Sequence, residues 1–226
     1  MTRTEIDLEN HLEKQWLQLE NILRVSLPLK NHHSAEELKY IRTAFLSIEK
    51  QWEKTFSSQK LVKAVLIGEA PLYGGKKSYV LAEDAAETTF LRSSDFPNGS
   101  HDPDIKFNLR KMISDHGLVI VDAFPFALNA EDTPSWSYKG KSKSKAYCHL
   151  LRNSFGPYLL PKLQRIRARA EELDDFQIMV RYKRLVGGGL EQLVTNAQDL
   201  QGSSITCLGT TNMHVDQELF AKGLGH

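Results

Sequence analysis

"VLIGEAPLYGGKKSYV", Val65–Val80, is an apolar run that stops at Gly68, passes Pro71, and reaches two glycines, two lysines and a serine. The run reads as a strand, and the glycine-rich turn as a place where backbone comes close to a ligand. A nucleotide phosphate is the first ligand to test. A phosphate loop of the form G-x-x-x-x-G-K-[ST] cradles phosphates with backbone N–H groups and reaches the terminal phosphate and its magnesium with the lysine and hydroxyl. Here Lys77 follows Gly75-Lys76 where Ser or Thr is required, and Ala70 stands where the first glycine belongs. Pro71 removes a further donor from the cradle. The G-x-G-x-x-G dinucleotide fingerprint is absent too. The turn is not a phosphate loop, so it points to another ligand.

Working outward from this turn, apolar runs and helical patterns alternate. Leu61–Ile67 is the first expected strand, and a long connection runs from 68 to 103. Asp104 is expected to cap a helix carrying Ile105, Leu109, Met112 and Ile113, with Gly117 ending it. Leu118–Phe124 (LVIVDAF) is the clearest buried strand, bounded by Pro125. A helical region from about 145 to 173 is expected to break at Gly156-Pro157. Phe176–Tyr182 and Ser204–Leu208 complete the strands; between them Gly187–Gly189 reads as a turn and Leu190–Ala197 as a helix. Strands separated by helices of this length imply crossover connections and a parallel sheet.

The first sixty residues read differently. Leu12, Trp16, Leu19 and Leu23 share one helical face. Ser34 to Glu37 spells a capping box, followed by Leu38, Ile41, Phe45, Ile48 and Trp52 in one apolar stripe. Leu27-Pro28-Leu29 and the polar run after it separate the two helices, and these aromatics read as core. The expected architecture is a single α/β domain over 1–226: three α/β/α layers around a four-stranded parallel sheet, with residues 1–58 as a helical hairpin packed on it.

Composition sets outer bounds. The 226 residues are 41% hydrophobic and 25% charged with a net charge of +1, ordinary for a globular protein. No apolar run approaches the ~20 residues of a membrane span. The opening MTRTEIDLENHLEK lacks the apolar core of a signal peptide, and a cytoplasmic location without membrane contact is expected. Two cysteines, Cys148 and Cys207, make neither a disulfide framework nor a metal pair; both are expected to be buried and inert. His32-His33 and His101–Asp104 lack a second pair at ligand spacing. No metal and no cofactor are expected.

In a parallel sheet, ligands bind beyond the carboxyl ends of the strands. That rule selects Gly68–Tyr79, Asp122–Phe126 and Gly209–Asp216, which hold Glu69, Asp122, Asn212, His214 and Asp216. Gly68-Glu69-Ala70-Pro71 after a strand resembles the first motif of the uracil-DNA glycosylase superfamily, G-E-A-P-G in one branch and G-Q-D-P-Y in another. The resemblance runs in order over 61–216. Asp122 stands where the family's second strand ends in a base-reading polar residue. Asn212-Met213-His214-Val215 stands at its last motif, and Tyr79 or Phe90 stands near the position of its stacking aromatic. Departures are plain: Ala70 replaces a water-activating Asp, Leu72 replaces the last glycine, and the cluster cysteines are missing.

The resemblance implies a DNA-repair hydrolase that cleaves the N-glycosidic bond of a flipped base in single- or double-stranded DNA. That reaction needs a carboxylate for the water or the cationic sugar and a donor for the departing base. Glu69 is the first choice for the carboxylate, then Asp122, with His214 as the donor. Gly68, Ala70, Pro71, Tyr73, Tyr79, Phe124 and Asn212 are expected to line the base pocket. An ionised Asp122 accepts only, which favours a donor-rich base edge over a uracil carbonyl. Lys76, Lys77, Lys139, Lys141, Lys143 and Lys145 suit backbone phosphates, and Trp136 beside them suits stacking or wedging. The bland readings are a hydrogen-bonded loop Glu69, a turn-capping Asp122, a surface His214 and solvated lysines. Arg165, Arg167, Arg169, Arg181, Lys183 and Arg184 read as helix-surface and strand-end charge. Two rivals remain open: a non-catalytic binder on the same fold, and a hydrolase or transferase of a small nucleotide with Lys76 and Lys77 on its phosphates.

Overall fold

In a computed structural model that describes residues 3–27, 35–74, 79–81, 90–97, 109–128, 133, 145–170, 176–209 and 215–225, the apolar runs form one parallel sheet. The first strand, β1 (Ala64–Gly68), pairs on one side with β2 (Leu118–Asp122) and on the other with β3 (Gln177–Val180). The fourth, β4 (Ser204–Cys207), lies outside β3, so the order is β2-β1-β3-β4. β1 and β2 are buried along their whole length. Strands covered on both faces by helices need unbroken apolar runs, which is why VLIG and LVIVD were readable. Helices surround the sheet in the expected three-layer α/β/α arrangement.

The N-terminal helices are α1 (Arg3–Ser26) and α2 (Ala35–Ser58). Their apolar stripes are core: Trp16, Leu19, Leu23, Ile41, Phe45, Ile48 and Trp52 are all buried. α2 also finishes the sheet. β2 is an edge strand, and Trp52 Nε1 donates to the Ile120 carbonyl (2.9 Å) while Gln59 Nε2 donates to that of Leu118 (3.0 Å). Two side chains thus occupy edge carbonyls that a fifth strand would otherwise use. Before β2 comes α3 (Leu109–Asp115), and Gly117 follows it as expected, its carbonyl accepting from Lys63 N (2.8 Å).

The expected break at Gly156-Pro157 does not occur. The helix α4 (Lys145–Ser154) continues through a five-residue π turn, Phe155–Leu159, directly into α5 (Leu160–Arg167). Pro157 lacks a donor, and the wider turn absorbs the loss within one rod. The Ser154 hydroxyl adds a bond to the Leu150 carbonyl (2.8 Å). After β3 the chain forms a short helix that the sequence reading did not anticipate, α6 (Lys183–Gly187), then α7 (Leu190–Thr195) and, after β4, α8 (Gln217–Gly223). The cysteines are half-buried, not buried, because β4 is itself only partly covered and Cys148 lies on the outer flank of α4. The expected caps at Ser34 and Asp104 lie outside the described residues.

Arg165 and Arg169 are more than surface charge. Arg165 forks onto Glu53 of α2 (2.5 and 2.8 Å), and Arg169 donates to the Phe56 and Gln59 carbonyls (2.6 and 2.5 Å). Arg167 donates to the Ser203 hydroxyl (2.8 Å). The arginines at the end of this rod tie it to α2 and to the start of β4. No helix among the described residues is long and apolar enough to cross a membrane.

Candidate functional site

The ladder bonds continue past the strand ends and gather four segments on one rim. Asp122 pairs in register with Gly68. Ala123 N donates to the Gly68 carbonyl (3.0 Å) and Phe124 N to that of Glu69 (2.9 Å). On the other side Arg181 N donates to Ile67 O (2.9 Å) and Leu208 N to Val180 O (2.8 Å). Gly209 bridges to Val215, which returns the chain after β4.

At the centre stand Gly68 and Asp122. A Cβ on Gly68 would lie 2.7 Å from Asp122 Oδ1 and 3.1 Å from the Phe90 ring. The close approach expected at this glycine is therefore made by the protein's own carboxyl and phenyl groups. Asp122 is only 5% exposed, and its Oδ2 has no hydrogen-bond partner among the described residues. Burial raises its pKa to about 7; Lys162 opposes the shift, while Glu49 and Glu69 add to it. A buried carboxyl with one oxygen unpartnered among the described residues is costly to keep unless that oxygen has work to do.

Glu69, next along the chain, is engaged on both oxygens. The Tyr147 hydroxyl donates to Oε1 (2.8 Å), Arg184 Nε to the same oxygen, and Arg184 Nη2 to Oε2. Tyr147 comes from the first turns of α4 and Arg184 from the start of α6. A Cβ on Gly188, just past α6, would stand 3.0 Å from the Tyr147 ring, so the two helices meet here tightly. Burial, with the neighbouring Glu69 carboxyl, pushes the Tyr147 hydroxyl far above its ordinary acidity range. The Arg184 guanidinium lies 4.6 Å over the Tyr182 ring, and that of Arg181 lies 5.0 Å over the same ring. Arg181 is buried and donates Nε to the Phe90 carbonyl (2.9 Å).

The other expected residues divide clearly. Tyr73 is docked on α2: Tyr40 donates its hydroxyl to the Tyr73 carbonyl (2.7 Å), with the rings edge to face. Gly74, at φ +82°, would bring a Cβ within 2.5 Å of that hydroxyl, so this glycine serves the docking. Tyr79 is buried, and burial with the charges of Asp122 and Glu49 raises its pKa; it stands on the Asp122 side. Pro71 is buried and Ala70 half-buried beside the rim. Phe124 is fully enclosed, its ring edge-on to Tyr147 at 5.1 Å. It supports the site from below and presents no free face. Asp216 is a helix cap, accepting from Leu219 N (3.1 Å) at the start of α8. Lys145 is exposed at the first position of α4. His214, Asn212, Lys76, Lys77, Trp136, Lys139, Lys141 and Lys143 lie outside the described residues.

Tyr147, Arg181, Tyr182 and Arg184 were not among the expected site residues. The strand-end rule, applied to β3 as it was to the other three strands, would have selected Arg181–Arg184. Among the described residues no group of three His, Cys, Asp or Glu side chains is placed to hold a metal ion. No protein family, curated protein or solved structure matches the chain.

Proposed function

We propose that this rim binds a nucleobase and that the chain hydrolyses an N-glycosidic bond, as a divergent relative of the uracil-DNA glycosylases acting on DNA. The observation that carries the reading is Asp122: a carboxyl at the end of β2, one oxygen without a described partner, titrating at about 7. A group that gains and loses its proton near neutral pH suits general acid–base work. In this reading the order of the two carboxyls is reversed. Asp122 takes the proton-handling role, at the water or the departing base, and Glu69 holds Arg184 and Tyr147 in place. A neutral Asp122 both donates and accepts, which removes the bias against a carbonyl edge that an ionised carboxylate would impose. The half-buried Phe90 ring, beside Gly68, is the candidate stacking face. His214 remains the candidate donor to the base, and the lysines of 139–145 the candidate backbone contacts.

A duplex carrying a labelled uracil, hypoxanthine or modified base tests this. Strand scission after alkali, lost in Asp122→Asn, is the expected result. A second reading, a binder without catalysis, is favoured by one observation: both oxygens of Glu69 are occupied. It shows as retention of the same oligonucleotides with no scission from any base.

A further inference from the structure

Arg184 is anchored in a way that leaves three of its five donors without an acceptor among the described residues. A guanidinium carries five N–H groups in a rigid plane. The side-on pair with Glu69 takes Nε–H and one N–H of Nη2, and the Tyr182 ring covers one face. The Nη1 pair and the second Nη2 proton remain; one Nη1 N–H and that Nη2 N–H form the end-on fork, and among the described residues nothing accepts from them. The burial is lopsided: the Glu69 side chain is 10% exposed and that of Arg184 41%. The carboxylate is buried, while the arginine side chain is half exposed. Lys183, the neighbour of Arg184, and Lys145, two residues before Tyr147, are exposed and have no ion-pair partner among the described residues. The backbone of Gly209 closes against Arg181 O and Lys183 N, at 3.0 and 3.2 Å from a Cβ built there. This fixes the start of α6 against the end of β4.

We propose that Arg184, held by Glu69 and Tyr182, is a preset receptor for a phosphate group of the ligand, which it binds end-on while keeping its pair with Glu69. A planar fork meets two oxygens of a phosphate at once, and a fork already oriented loses little freedom on doing so. Glu69 is then a positioning residue. Lys183 and Lys145 add charge without geometry. This rests on the proposed function only in placing the ligand at the same rim; it does not require bond cleavage.

The test is binding of inorganic phosphate, a nucleoside 5′-monophosphate, the matching nucleoside, and single-stranded and duplex oligonucleotides to the full chain, by calorimetry. Arg184→Ala should weaken the phosphate-bearing probes about ten- to a hundredfold and leave the nucleoside unchanged. Arg184→Lys keeps a cation beside Glu69 and loses the fork, so it should fold normally and fail to restore affinity. With DNA, the slope of log affinity against log salt should fall by roughly one in Arg184→Ala and stay unchanged in Glu69→Gln, whose affinity still drops. Competition of DNA by the monophosphate identifies a terminal phosphate as sufficient; tight binding by oligonucleotides alone identifies the backbone diester. Wild-type affinity and slope in both Arg184 variants would overturn the proposal. So would equal weakening of the nucleoside, or no binding of any phosphate-bearing probe to the wild type. Phosphate binding lost in Arg184→Ala, with no scission of any base, would keep this inference and remove the glycosylase.

Discussion

Two clusters in this molecule are built from the same parts, a glutamate, a tyrosine and a cation. In the interior, Glu49 of α2 receives the Tyr158 hydroxyl (2.9 Å) and the Lys162 ammonium (2.7 Å), and Lys162 lies 4.6 Å over the Trp52 ring and 4.2 Å over that of Tyr158. At the rim, Glu69 receives the Tyr147 hydroxyl and the Arg184 guanidinium. The inner cation is covered by aromatic faces and uses its donors on the protein. The outer one is an arginine whose side chain is half exposed. What distinguishes the two clusters is the exposure of the cation, 7% against 41%, and not the kind of contact. Asp122 feels both clusters: Lys162 and Glu49 of the inner one and Glu69 of the outer one.

The sharpest way to break the comparison is to remove one partner from each cluster. Glu49→Ala leaves an ammonium buried without its anion and should cost about 3–5 kcal/mol in denaturant unfolding. Replacing Glu49 and Lys162 together by leucine and methionine should recover most of that loss, since the desolvation of both charges disappears.

Asp122 gives the next largest effect, read as pH dependence. Its folded pKa of about 7 lies above its ordinary value of 3.8, so between those values the folded state holds more protons than the unfolded chain. Stability should therefore fall as pH rises from about 4 to 7. Asp122→Asn should flatten that slope, gaining about 2–4 kcal/mol on the wild type at pH 8 relative to pH 4. A wild-type profile already flat over this window would show that Asp122 is not held as described.

Gly68→Ala comes third. The new methyl meets Asp122 Oδ1 and Phe90, and overpacking of this kind costs about 1–3 kcal/mol, measurable in the same titration. Glu69→Gln comes last. Its partner is half in water, so stability should change by under about 1 kcal/mol, whereas ligand affinity should drop. A stability loss as large as that of Glu49→Ala would erase the distinction between the clusters.

The sheet was legible in the sequence because strands buried on both faces leave unbroken apolar runs, and Trp16 to Trp52 betrayed the hairpin by period. α6 was not legible: in Lys183–Gly187 only Leu185 is buried, too little for a period to register. Glu69 and Asp122 could be found from strand ends. The same rule at β3 reaches Arg184, but its pairing with Glu69 and the part of Tyr147 were not legible, since the two stand 115 and 78 residues from Glu69 and nothing local marks such a pairing. Gly156-Pro157 misled because local rules score the missing donor and not the wider turn that accommodates it.

That turn has a consequence for the whole molecule. One continuous rod, residues 145–167, carries Tyr147 to the rim and Tyr158 with Lys162 to the interior. Deleting a single residue from the π segment would swing one end about 100° relative to the other. The phase of this helix is thus a shared mechanical constraint: a change in its residue count that satisfies one cluster must misalign the second.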